Sequence, residues 1–217
     1  LFQGMLTCVT LQDVLDFGAP DESGERGVGA LAPLRTPLAH GAWVDMQPGW
    51  VRTADDLFAA LLTEVPWRAE RRQMYDAVLD VPRLTRFYGA DEPWPHPGLA
   101  PLCRAVSDHY LPVLGQPLVT AGLCLYRDGA DSVAWHGDRI GRSRLHDTVI
   151  AIVSLGSTRT LALRPAGGGP SVKFTTGHGD LLVMGGSCQR TWEHAIPKTK
   201  EAVGPRISVQ FRQAGVR

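Results

Sequence analysis

The segment Trp135-His136-Gly137-Asp138 has the clearest chemical potential in the chain. A histidine and an aspartate two residues apart at the end of a strand point to the same side. A histidine from a later strand, His194, can complete that face. Two imidazoles and one carboxylate hold a metal and leave three coordination positions open, which is what a non-haem Fe(II) needs to take a bidentate cosubstrate and O2. The spacing alone is a weak signal, because His178-Gly179-Asp180 repeats it. That copy follows Gly177 in a turn and stands only 14 residues before His194. The interval from Asp138 to His194 holds four candidate strands, enough to go round a jelly roll and return. His136, Asp138 and His194 are therefore the expected metal ligands, and His178 and Asp180 are expected to be turn residues.

The C-terminal strand strengthens this reading. In Arg206-Ile207-Ser208-Val209-Gln210-Phe211-Arg212, alternation puts Arg206, Ser208, Gln210 and Arg212 on one face and the apolar residues on the other. Two arginines facing a β-barrel interior are costly unless they meet anions. A dicarboxylate such as 2-oxoglutarate offers one carboxylate to each, with a fork geometry that lysine does not match. The alternative is an exposed edge strand with both arginines in water.

These residues need a scaffold, and 217 residues suffice for one domain with a substantial core. With 44% hydrophobic and 20% charged residues the chain is neither disordered nor membrane-spanning; no apolar run approaches the ~20 residues that cross a bilayer. Twenty-two basic and 22 acidic side chains cancel, which excludes a generic polycation mode of nucleic-acid binding but not a local basic groove. Four scattered cysteines without a CxxC pair argue against a disulfide framework or zinc ribbon and for the reducing cytoplasm. Leu1-Phe2-Gln3-Gly4 resembles the residue of a protease-cleaved tag, with Met5 as the native start.

Residues 16–49 read as loop-rich, with one short strand within Ala39–Met46. Thr53 is the expected N-cap of a helix carrying Asp55 and Asp56 in its first turn. Three prolines within 91–98 require a loop, and Leu102, Val106, His109 and Tyr110 fit a helix over Leu99–Leu114. From residue 117 the texture is β: Leu118–Tyr126, Val133–His136, Thr148–Leu155, Arg159–Arg164, Ser171–Thr175, Leu181–Met184 and Arg206–Arg212, separated by turn residues. The expected organisation is an α+β fold with a mainly β core. Residues 5–115 form an N-terminal extension with helices, and residues 116–217 form the β core.

Leu125-Tyr126-Arg127-Asp128-Gly129 through Trp135-His136-Gly137-Asp138 resembles the metal-site segment of the AlkB family of Fe(II)/2-oxoglutarate dioxygenases. Ser154-Leu155-Gly156, Gly179-Asp180-Leu181-Leu182-Val183-Met184, Trp192-Glu193-His194-Ala195-Ile196-Pro197 and Pro205-Arg206 through Gly215 follow in the family's order, and Val81–Gly89 resembles the entry to its nucleotide-recognition region. The resemblance spans residues 65–215. It implies a double-stranded β-helix (jelly roll) with N-terminal helices packed on it, iron on His136, Asp138 and His194, and 2-oxoglutarate and O2 as cosubstrates. Arg206 with Tyr126 would meet the distal carboxylate of 2-oxoglutarate, and Arg212 would lie near the iron-chelating carboxylate. The implied reaction is oxidative dealkylation of N-alkylated bases in DNA or RNA, releasing aldehyde, succinate and CO2. The implied substrate is single-stranded or locally opened nucleic acid, met by a monomer with no membrane association.

Three residues depart from the family's pattern. Cys124 and Ser208 stand where asparagines are usual, so hydrogen bonding around 2-oxoglutarate must differ. Ile140 replaces an acid that helps repair members read the base. Trp94 or His96 is the expected stacking partner of an extruded base opposite His136, while Tyr75 and Tyr88 read as core residues. Arg71, Arg72, Arg83 and Arg86, with Arg139, Arg142 and Arg144, form the candidate phosphate-binding rim. The alternatives are an AlkB-like oxygenase acting on protein, RNA or a small molecule and, more remotely, a non-enzymatic cupin-like metal sensor.

Overall fold

A computed structural model of the chain describes residues 27–74, 77–138 and 146–216, with the backbone alone for 71–74 and 77–80. The expectations for residues 1–4, Tyr75, Arg139, Ile140, Arg142 and Arg144, and for the side chains of Arg71 and Arg72, fall outside the described residues.

Twelve strands are described: β1 (Leu34–Pro37), β2 (Ala42–Gln47), β3 (Arg68–Met74), β4 (Ala77–Tyr88), β5 (Leu118–Tyr126), β6 (Val133–His136), β7 (Ile150–Gly156), β8 (Arg159–Pro165), β9 (Val172–Thr176), β10 (Asp180–Gly186), β11 (Trp192–Ile196) and β12 (Arg206–Gln213). The helices are α1 (Ala54–Glu64), α2 (Leu99–Leu114) and a single turn, α3 (Cys188–Thr191). A large antiparallel sheet runs β1-β2-β10-β7-β12-β5-β4-β3, and a small one runs β6-β11-β8-β9. The large sheet draws on strands from both halves of the chain.

Alternation along the central strands builds three layers. On one face of the large sheet Leu123, Val153, Leu155, Leu181, Val183, Ile207, Val209 and Phe211 join Leu57 and Leu61 of α1 and Leu99, Leu102, Val106 and Tyr110 of α2 in one buried cluster. Each fully buried Leu of this kind is worth ~1.5–3 kcal/mol. On the other face Val44, Ile150, Ile152, Leu182 and Met184 meet Leu161, Leu163 and Ile196 of the small sheet. The space between the sheets is thus apolar at one end, which leaves the other end for a polar site.

The fold is the expected jelly-roll arrangement with helices against it. α2 has the expected bounds and ends at Gly115, whose φ of 66° suits a residue without Cβ. Thr53 does precede α1, but its side chain makes no capping hydrogen bond. Three features were not foreseen: the β3–β4 hairpin over the arginine-rich segment, strand β1, and the turn α3 that precedes the strand of His194. No helix among the described residues is long and apolar enough to cross a membrane.

Candidate active site

β6 ends at His136, and antiparallel β11 places His194 directly opposite it. The two imidazoles have centroids 4.2 Å apart. Asp138, two residues beyond the end of β6, brings Oδ1 to 3.7 Å from His136 Nε2. One ligand atom from each of the three residues lies within 4.8 Å of the others, close enough to share one ion. His136 Nδ1 is 2.8 Å from the Ala134 carbonyl, which can only accept. Nδ1 therefore donates to that carbonyl, which turns Nε2 toward the other two residues. Burial and the adjacent His136 push His194 down to about 3, which keeps its imidazole neutral. Burial would raise Asp138, but Arg212 beside it, with His194 and His136, holds the carboxyl at about 2. His194 and Asp138 are thus in their ligating forms, a neutral imidazole and a carboxylate, beside the imidazole of His136.

Arg212 donates to Asp138 Oδ2 from Nε at 3.0 Å and from Nη2 at 2.8 Å. The expectation put this guanidinium near a cosubstrate carboxylate at the iron. Its described carboxylate partner is Asp138, which belongs to the metal-ligand face, and pairing two buried opposite charges offsets the cost of desolvating either. Arg212 crosses the sheet over Gly122, where a Cβ would stand 2.7 Å from Nη1. The missing side chain leaves room for the guanidinium.

The inner face of the large sheet presents its polar residues in register. Thr85, Cys124, Ser208 and Ser154 form one row across β4, β5, β12 and β7, and Tyr126 and Arg206 pair in the next. Arg206 is 2% exposed. Its Nε donates to Ser154 Oγ at 3.0 Å and its Nη2 to Thr176 Oγ1 at 3.3 Å. Its Nη1 is buried with no partner. A buried guanidinium held by hydroxyls, with Nη1 unmet, is suited to bind an anion. The residues therefore fit 2-oxoglutarate: a forked donor for a distal carboxylate at Arg206 and a metal-ligand face in the same cavity. Cys124 and Ser208 meet Gln210 Nε2 at 3.7 and 3.3 Å, so the glutamine amide bridges the two departures from the family pattern.

Together these residues line a cavity of about 970 Å³. Its walls also include Arg83, Phe87, Trp135 and Glu70, and Glu70 accepts from Thr85 Oγ1 at 2.5 Å. Arg83 donates to the Ser132 carbonyl at 3.4 Å and leaves Nε buried without a partner. Sequence reasoning missed Glu70, Phe87, Trp135 and Thr176 as wall residues and Ser154 as the partner of Arg206. Only Ser154, a polar residue inside the apolar run Ile150–Leu155, carried a signal.

Three expected substrate residues lie elsewhere. Arg86 projects to the opposite face of β4, where it lies 4.5 Å over the Tyr88 ring and pairs with Glu92. Trp94 stacks on Phe211 at 5.7 Å, and with His96 it lines a separate concavity of about 510 Å³ beside α2. The physical reason is that the proline-rich loop leads into α2, whose apolar face packs on the outer side of the large sheet. The alternative histidine motif is occupied locally: His178 Nδ1 accepts from the Gly156 N–H at 2.7 Å and Nε2 lies 3.2 Å from Asp55, while Asp180 accepts from Gly49 and Gly177.

Residues 47–212 match the 2OG-Fe(II) oxygenase superfamily. The chain is 32% identical over 191 residues to Homo sapiens alpha-ketoglutarate-dependent dioxygenase alkB homolog 3, covering 78% of this chain and 65% of that relative. It is 30% identical over 184 residues to Homo sapiens DNA oxidative demethylase ALKBH2, covering 74% of this chain and 68% of the relative. The chain thus spans just under two thirds of the first relative's length. The solved structure of OsALKBH1 shares the fold at a TM-score of 0.59 and 14% identity, over 83% of this chain and 100% of that one. A Trichoplax adhaerens prolyl hydroxylase shares it at 0.58 and 13%, over 79% and 83%.

Proposed function

The chain belongs to the 2OG-Fe(II) oxygenase superfamily and, within it, to the AlkB homologues, and from that premise we propose that it is an Fe(II)/2-oxoglutarate-dependent dioxygenase that dealkylates bases of DNA or RNA, working as a cytoplasmic monomer. The observation that carries the reading is the unmet Nη1 donor of Arg206 in the same cavity as the His136–Asp138–His194 face. The free thiols Cys103, Cys124 and Cys188 are consistent with a reducing compartment.

In this reading His136 Nε2, Asp138 Oδ1 and a nitrogen of His194 hold iron. Arg206, steadied by Ser154 and Thr176, takes the distal carboxylate of 2-oxoglutarate as a fork. Tyr126, 2% exposed beneath that guanidinium, excludes water from it. Iron, when bound, supplies the O2 activation that places one oxygen atom in succinate as 2-oxoglutarate loses CO2 and the other on the alkyl carbon. The resulting N–CH2OH bond system then collapses: the C–N bond breaks, the hydroxyl proton passes to the nitrogen, and an aldehyde leaves. The base must be extruded to reach this depth, and His136 and Phe87 offer flat walls for it. N1-methyladenine and N3-methylcytosine carry a positive charge, and the carboxylate of Glu70 in the wall suits them.

The test is a panel of single- and double-stranded DNA and RNA oligonucleotides carrying N1-methyladenine, N3-methylcytosine or ethenoadenine. Methylated single-stranded DNA is expected to stimulate succinate release and lose its methyl group, with binding that weakens as salt rises. If the panel gives neither product nor salt-sensitive binding, the substrate is a protein or small molecule instead.

A further inference from the structure

Asp138 stands outside the ladder that positions the two histidines. β6 pairs with β11 through His136↔His194 and Val133↔Ile196, and Asp138 lies two residues beyond the last of these. Two anchors from other elements hold it. Arg212 occupies carboxylate oxygen Oδ2. The backbone N–H of Asp138 donates to Gln189 Oε1 at 3.1 Å.

Gln189 is 3% exposed, and its burial has no apolar explanation. A carboxamide taken out of water needs its hydrogen bonds. Its oxygen has the Asp138 N–H, but among the described residues its Nε2 meets only the Met184 sulfur at 3.9 Å, a weak acceptor. The residue is thus half satisfied, and the satisfied half points at a metal-ligand backbone. Its own position is fixed. α3 is held by Ser187, which takes the N–H groups of Arg190 and Thr191 on its carbonyl at 2.8 and 2.9 Å and donates from Oγ to the His40 carbonyl at 2.7 Å. α3 also leads directly into β11, so Gln189 ties the Asp138 loop to the element that carries His194.

We infer that Gln189 is a positioning residue for the metal: its amide oxygen holds the Asp138 backbone so that Oδ1 faces the two imidazoles. The inference rests on the metal reading above and adds a residue to it that makes no contact with the ion.

The test is Mn(II) binding, followed by electron paramagnetic resonance of the free ion, on wild-type protein, Gln189→Met and Gln189→Glu, with melting temperatures measured alongside. Gln189→Met keeps the volume and removes the acceptor, whereas Gln189→Glu keeps an acceptor at the same reach. The Mn(II) Kd is expected to rise about tenfold in Gln189→Met and to stay within about threefold of wild type in Gln189→Glu, by the usual effect of outer hydrogen-bond partners on metal affinity. Should Gln189→Met not fold, Gln189→Ser, too short to reach Asp138, takes its place with the same expectation. Wild-type affinity in Gln189→Met, or equal losses in both variants, overturns the inference and leaves Gln189 a packing residue. A wild-type protein that takes up no Mn(II) overturns the metal reading instead.

Discussion

Two concavities flank the large sheet, and both are lined by tryptophan, histidine and arginine: Trp94, His96 and Arg104 outside, Trp135, His136, His194, Arg83, Arg206 and Arg212 inside. On the outer side His96 Nδ1 accepts from the Gly98 N–H at 3.1 Å, Ser107 Oγ from the Leu118 N–H at 2.9 Å, and Glu92 is paired with Arg86. Arg86 leaves Nε unmet, but its terminal nitrogens reach Glu92 and the Phe87 carbonyl. On the inner side Arg206 keeps a terminal donor unmet at 2% exposure, and three metal-binding side chains converge on one point. Residue type does not separate the two places. What separates them is that outside His96, Ser107 and Glu92 are held by local partners, while inside the buried Nη1 of Arg206 is unmet beside the face of His136, Asp138 and His194.

The largest contrast is between the two histidine motifs. His136→Ala is expected to abolish 2-oxoglutarate turnover, and His178→Ala, whose ring serves Gly156 and Asp55, to leave it nearly unchanged; succinate release reads both. A reversal would move the metal site. Next comes Arg206→Lys, which replaces a fork with a point charge. Loss of a charge-assisted hydrogen bond of roughly 1.5–3 kcal/mol should raise the KM for 2-oxoglutarate about ten- to a hundredfold. The same exchange at Arg104, in the outer concavity, should not change it. Trp94→Ala probes the outer side directly. Loss of its stack on Phe211, worth ~0.5–1.5 kcal/mol beyond burial, should lower the melting temperature while leaving the KM for a methylated oligonucleotide unchanged. A raised KM at unchanged stability would make the outer concavity a substrate surface and break the comparison. The smallest effect is expected from Gly122→Ala. Its Cβ would crowd Arg212 Nη1, the flexible end of a side chain, so turnover should fall a few-fold with the fold intact.

The strands that carry most of the site were legible because their two faces differ in polarity. β12 alternates Arg206, Ser208, Gln210 and Arg212 against Ile207, Val209 and Phe211, and that pattern put both arginines on one face, with an exposed edge strand as the alternative. β3 was not legible, since it is an edge strand of mostly charged residues with no apolar face to mark it. β11 is short, and His194 and Glu193 interrupt its apolar pattern. Trp94 and His96 looked like stacking residues because a loop of prolines usually lies at a surface. Which surface depended on where α2 packs, and local sequence does not contain that. Gln189 and Glu70 acquire their positions from contacts 51 and 15 residues away in the chain, so no local pattern could have singled them out.

The most direct measurement is calorimetric titration of 2-oxoglutarate into the chain with and without Mn(II). One site is expected, tight only when the metal is present and weakened by Arg206→Lys, because one molecule must bridge the metal face and the unmet guanidinium. Binding that is indifferent to the metal, or unaltered by Arg206→Lys, would contradict the assignment of the inner cavity as the cosubstrate site.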